Sequence, residues 1–174
     1  LGPAPVGQHW VFGEDITAQK TAEQELRASH ELVQRTIDSS LDMVQVFKAV
    51  RDEQGEVIDF TWVLNNAAAE QQYGDVIGQR LCQLNPGVKE TGIFDTFKRV
   101  LETGVPDQSE RHYVHEQFDG WFHQSVVKLD DGVTTTTHDI TQRKQAEQEL
   151  RQTQELLQAT LDSSRYVVQA LKAV

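Results

Sequence analysis

The chain has 174 residues, with 16 basic against 27 acidic side chains and a formal net charge of −11. That balance excludes a nucleic-acid surface, which needs clustered Lys and Arg against phosphate, and it excludes an anionic membrane surface for the same reason. The single cysteine, Cys82, excludes an internal disulfide and fits a reducing compartment. No apolar run approaches the ~18 residues of a membrane span and no secretory signal opens the chain, so a cytoplasmic location without membrane contact is expected.

Trp10, Val11 and Phe12, followed by Gly13 and Asp15-Ile16-Thr17, read as a strand running into a helix with Thr17 at its N-cap. Residues 18–40 hold no Gly or Pro and carry a 4-3-4-3-4 stripe at Ala22, Leu26, Ser29, Val33, Thr36 and Ser40, widened by Leu32 and Ile37. Heptad spacing with small or polar residues at every second core position describes a weak two-stranded coiled coil. Met43–Val50 and Val57–Leu64 are strand candidates around a turn at 52–55. In the second, Ile58, Phe60, Trp62 and Leu64 alternate with polar residues, which predicts one buried face. Asn65 to Tyr73 reads as a short helix. Gly92–Thr103 reads as a longer one, with Phe94, Phe97, Val100 and Leu101 on one side and Gly104 as its stop. Three strands are expected near 109–117, 121–129 and 133–140, with hairpin turns at Asp119-Gly120 and at Asp130-Asp131-Gly132. A helix from 141 to 165 then repeats the stripe at Ala146, Leu150, Thr153, Leu157 and Thr160, flanked by Leu156 and Leu161.

The two helical segments are copies. Residues 15–50 and 139–174 align without a gap at an offset of 124, and 22 of the 36 positions are identical. A period that long is the size of a whole small domain. The chain therefore divides, as an expectation, into a terminal strand of a preceding repeat (1–17), a linker helix (18–40), one complete domain (41–140), an outgoing signalling helix (141–165) and the first strand of a following repeat (166–174).

The order β-β-α-α-β-β-β resembles the PAS family, as strung together upstream of histidine kinases and diguanylate cyclases. The residues that carry the likeness are Leu41 to Val44, Leu64 to Ala69, Val76-Ile77-Gly78, Phe97 to Gly104, Trp121-Phe122 and Asp139-Ile140-Thr141 with the following Arg143-Lys144-Gln145. The resemblance implies an α+β fold in which a five-stranded antiparallel sheet, its first and last strands adjacent, curves over short helices around a small pocket. It also implies that the Asp-Ile-Thr motif couples the last strand to the outgoing helix. Side chains such as Asp139 and Thr141 can bond backbone at a strand-to-helix corner and fix its angle.

Three features suggest other chemistry and do not carry it. Ser29-His30-Glu31-Leu32 is like a phosphoacceptor box, yet Val33-Gln34-Arg35 follows and the second copy has Gln154 in place of His30. Cys82 lies one position beyond the slot of the flavin-reactive thiol, with Leu81 in that slot, and adduct formation depends on placement. His112 and His115 are three apart on a candidate strand and so face opposite sides, which argues against a shared metal. No nucleophile–base motif, P-loop or dinucleotide fingerprint is present.

The expectation is thus a non-catalytic sensory or relay domain without metal or cofactor. Signal coupling is expected at Asp139, Ile140 and Thr141 and at the repeat equivalents Asp15 and Thr17. A core or pocket is expected at Phe60, Trp62, Phe94, Phe97, Phe122 and Val126, and Trp121 adds to the bulk that fills it. A homodimer is expected through Leu26, Val33, Leu150 and Leu157. In a longer parent, further repeats and an output domain are the expected partners. A ligand-free spacer or dimerisation module is the alternative, and a fragment of a histidine kinase catalytic region is a further one.

Overall fold

A computed structural model describes the backbone of residues 12–172 and the side chains of residues 17–165. In chain order the elements are α1 (Phe12–Asp38), β1 (Met43–Arg51), β2 (Val57–Asn65), α2 (Ala67–Tyr73), α3 (Leu81–Leu84), α4 (Gly87–Glu90), α5 (Ile93–Thr103), β3 (Asp107–His115), β4 (Phe118–Leu129), β5 (Gly132–Asp139) and α6 (Thr141–Lys172). The strands form one antiparallel sheet in the order β2-β1-β5-β4-β3. The fold is α+β and PAS-like, with the first and last strands side by side at the centre of the sheet. Among the described residues no helix is long and apolar enough to cross a membrane.

The core is built from the concave face of the sheet and the long face of α5. Phe47, Phe60, Trp62, Val126 and Val133 from the strands meet Phe97, Val100 and Leu101 from the helix, all buried. Ring centroids lie 5.4 Å apart for Phe47–Trp62 and for Phe47–Phe97, and 5.5 Å apart for the edge-on pair Phe60–Phe97. Offset and edge-on rings gain from their quadrupoles beyond the area they bury. Helix α5 stops where its periodicity runs out: Gly104 takes the left-handed conformation at φ 70 and donates its N–H to the Val100 carbonyl.

Strict alternation fails in β2. The ladder with β1 shifts between Val46 and Phe47 and again between Val50 and Arg51, so Val63 and Ile58 have no partner. Two bulges take up the extra residues, leaving Ile58 exposed and Asp59 buried, against the one-face expectation. The buried Asp59 Oδ1 accepts from the N–H groups of Phe60 and Cys82, at 2.7 and 3.0 Å. Burial, reinforced by Asp59, pushes the Cys82 thiol up to about 12, so it stays protonated and packs as a small apolar group.

The β3–β4 turn is not at Asp119-Gly120. It lies at Glu116-Gln117, with Glu116 at φ 50, while Asp119 and Gly120 pair with Val114 and Tyr113 inside the ladder. Glu116 is held there by the Gly87 N–H and the Tyr113 hydroxyl, both of which donate to its carboxylate. Gly120 serves a close approach instead, since a Cβ there would stand 2.5 Å from Thr141 Oγ1. The turn before β5, Asp130-Asp131, falls where the sequence indicates, with Asp130 at φ 49.

The terminal strand expectations also differ from what is seen. Residues 12–17 belong to helix α1, with Thr17 inside it rather than at an N-cap, and residues 166–172 continue α6. Residues 1–11, 173 and 174, and the side chain of Asp15, lie outside the described set. The segment that forms β1 in the central copy is helical in its repeat. A strand needs neighbours for its backbone bonds, and β2 and β5 supply them to β1; a helix satisfies its own.

Candidate functional site

The functional site is best built from the two places where a long helix meets the sheet. Because β1 and β5 are antiparallel neighbours, with Met43 opposite Thr137, the start of β1 and the end of β5 lie at the same end of the sheet. Helix α1 therefore arrives beside the point where α6 departs.

The incoming junction is organised by Asn66, which is fully buried. Its Nδ2 donates to the carbonyls of Ile37 (3.0 Å) and Asp42 (2.9 Å), and its Oδ1 accepts from Val44 N (2.9 Å) and Ala69 N (3.1 Å). One amide thus joins the last turn of α1, the first residues of β1 and the start of α2. Asp38, in that last turn, adds a bond from Ala67 N at 2.9 Å. In the sequence Asn66 reads only as part of a short helix; three of its bonds come from segments 22 to 29 residues away and have no local signature.

The outgoing junction uses the Asp139-Ile140-Thr141 motif. Asp139 Oδ1 accepts from Thr141 N at 2.8 Å, and Ile140 is buried. Ile140 N donates to the Trp121 carbonyl at 2.8 Å, while Thr141 Oγ1 accepts from Trp121 N at 2.9 Å. Thr141 therefore grips β4, and Gly120 leaves room for its hydroxyl. A second clamp follows one turn on. Glu110 of β3 receives Arg143 Nη2 and Lys144 Nζ, each at 2.6 Å, and the Lys144 ammonium lies 5.2 Å over the Trp121 ring. Trp121 consequently sits on the outer face of the sheet under α6 and adds nothing to the core bulk expected of it.

These two cations, Lys144 first, hold the Glu110 carboxyl down at about 2. A depressed acid contributes anchoring that is complete above its ordinary value of 4.5 and is lost as pH falls from there toward 2. Titration of the Trp121 and Lys144 resonances should show the contact intact until well below 4.5; release centred at 4.5 would mean that the clamp is not formed in solution. Solvent screening makes such surface pairs individually weak, so the effect is expected in α6 alone and not in the sheet.

The two junctions touch. The His138 ring, next to Asp139, bonds the carboxylate of Asp42, which precedes β1. Beyond the junctions both helices stand clear of the sheet. Leu26 is 58% and Leu150 60% exposed, and Val33 and Leu157 are similar. The Thr hydroxyls within the stripe are satisfied internally, Thr36 by the Leu32 carbonyl and Thr153 by Glu149. The repeat extends to surface bonds: Arg27–Glu31 recurs as Arg151–Glu155, and Gln34–Asp38 as Gln158–Asp162.

Of the residues expected in the core or pocket, Phe60, Trp62, Phe97 and Val126 are buried, while Phe94 and Phe122 are only half-buried. With Trp121 outside as well, the interior is not filled. A cavity of about 60 Å³ remains, walled by Phe47, Phe97 and Phe122 among others. A groove of about 290 Å³ lies at the junction end, and Met43, Phe118, Phe122 and Thr137 line both spaces. The groove reaches Asp139 on one side and Leu41, 97% exposed, on the other. His112 and His115 lie on opposite faces: His112 stacks on Trp121, and His115 packs where a Cβ on Gly87 would fall.

Solved structures similar to this chain include the following three. The PAS domain of Bordetella pertussis BvgS is 19% identical, with 77% of this chain and 98% of that one covered and a TM-score of 0.47. A domain of an HTR-like protein from Haloarcula marismortui is 18% identical, covering 59% of this chain and 100% of that one, with a TM-score of 0.45. An RNA-binding light-oxygen-voltage receptor is 15% identical, covering 89% of this chain and 42% of that one, with a TM-score of 0.48. No family profile and no curated protein matches the chain. The fold is read from the strand order, and the site from the residues described above.

Proposed function

We propose that the chain is a non-catalytic sensory and relay module. It passes a conformational change between helix α1, the β1–β5 centre of the sheet and helix α6, within a cytoplasmic multidomain signalling protein. The observation that carries this is the shared end of the sheet: Asn66 holds the incoming helix, Thr141 and Glu110 hold the outgoing one, and Asp42 and His138 join the two. A shift of α1 need not cross the domain to reach α6. A marginal helix pair with two registers is the kind of bistable element such a relay needs.

The module works as a parallel homodimer through the stripes headed by Leu26 and Val33 on α1 and Leu150 and Leu157 on α6. Exposed leucines at heptad spacing in water are a strong incentive to pair. In the parent protein the partners are neighbouring PAS repeats and an output domain of the histidine kinase or diguanylate cyclase kind. Light scattering should give a dimer for the chain as it stands. Replacing Leu26 and Leu150 together with Lys should give a monomer with unchanged sheet content by circular dichroism. A monomeric parent chain would defeat the proposal.

A further inference from the structure

We propose that the interior cavity and its groove bind a short-chain aliphatic monocarboxylate, held at Arg111 and Asn85. Arg111 lines the cavity, half-buried, and its three nitrogens donate only to neutral oxygens: Ser109 Oγ, the Thr91 carbonyl and Thr96 Oγ1, at 3.2, 2.9 and 2.8 Å. A guanidinium has five N–H donors, so two remain. Among the described residues no carboxylate pairs with it, and a cation withdrawn from water without a counter-ion is costly. Asn85 lines the same cavity and is 4% exposed, and among the described residues its side-chain amide has no partner. An amide without a protein partner and a cation with free donors, lining one cavity, are a donor set for one planar anion.

The surroundings narrow the class. A cavity of about 60 Å³ open to the centres of water-sized molecules has room for several waters, and so for a carboxylate head with a short chain. An apolar tail has Met43, Phe118 and Phe122 to pack against, the side chains that line both the cavity and the groove. Arg111 is the one Lys or Arg side chain lining either space, and Asp119 and Asp139 line the groove, so the second charge of a dicarboxylate finds no cation and meets repulsion where it reaches the groove. A tail against this shared wall borders the groove that Asp139 of the outgoing junction and Leu41 of the incoming one also line. This identification deepens the sensory reading and rests on it for its consequence, though not for binding itself.

The test uses the whole chain with butyrate, 1-butanol and succinate as probes. Butyrate should bind saturably, raise the melting temperature with concentration and shift the amide resonances of Arg111 and Asn85. Butanol should do neither, and succinate should bind at least about tenfold more weakly, because its second carboxylate is desolvated without a cation. Arg111→Gln should abolish binding. Because Arg111 also ties β3 to α5, Asn85→Leu is the second variant: it removes no bond within the protein and should weaken butyrate at least about tenfold. Absence of saturable butyrate binding, equal effects of butanol, or undiminished affinity in Asn85→Leu would each overturn the assignment. Binding is read at the cavity, so failure here leaves the relay to stand or fall on its helices.

Discussion

Gly132→Ala should abolish the native sheet or lower its melting temperature by about 15 °C or more, corresponding to a loss of at least about 3 kcal/mol in a domain of this size. Gly132 opens β5 directly opposite Lys48 of β1. A Cβ at that point would lie 1.9 Å from the Phe47 carbonyl oxygen and 2.9 Å from its carbon, both backbone atoms that no rotamer change can move aside. The β1–β5 ladder would have to part, and Phe47 is itself a wall of the aromatic core. Thermal unfolding followed by circular dichroism reads the effect. A melting temperature within about 2 °C of the parent would mean that the two central strands are not paired as described.

Asn66→Ala should cost about 3 kcal/mol or more. It removes the α2 cap, worth about 1 kcal/mol, and leaves Val44 N and the Ile37 and Asp42 carbonyls, all part-buried, short of a partner. Asn66→Asp separates the roles of the two amide atoms. Its carboxylate still accepts from Val44 and Ala69, but it donates nothing to Ile37 and Asp42 and sets a negative charge against their carbonyls. The expected result is a retained α2 with a loosened end of α1, visible as faster hydrogen exchange in residues 34–38. Exchange unchanged there would remove Asn66 from the incoming junction.

How far the sequence revealed this structure depends on the range of each signal. The succession of strands along the chain, α5 with its Gly104 stop and the helical stripes were legible because each is written in local periodicity and turn chemistry. The adjacency of the first and last strands came only from the resemblance to the PAS family. The bulges in β2 were not, since Ile58 and Val63 look like ordinary strand residues until the ladder with β1 is formed. Asp119-Gly120 misled for a physical reason: the glycine is there for contact with Thr141, 21 positions later, and a close approach leaves the same mark as a turn. The Asp139-Ile140-Thr141 corner was legible as a motif. Its partners Glu110 and Trp121 were not, because nothing local ties a charge on β3 to a helix that starts after β5. Arg111 and Asn85 likewise gain meaning only once folding places them on one cavity.

The claim on which the account turns is that the incoming and outgoing junctions are energetically one unit. A thermodynamic cycle tests it most directly, with Asn66→Asp on the incoming side and Thr141→Ala on the outgoing side, each variant and the double variant unfolded by denaturant. Distant, independent sites add to within about 0.3–0.5 kcal/mol. The expected result is a double variant less destabilised than the sum of the singles by about 1 kcal/mol, because loosening either junction already releases the Asp42–His138 tie between them. Additive costs would contradict the relay and leave two helices that merely share a scaffold.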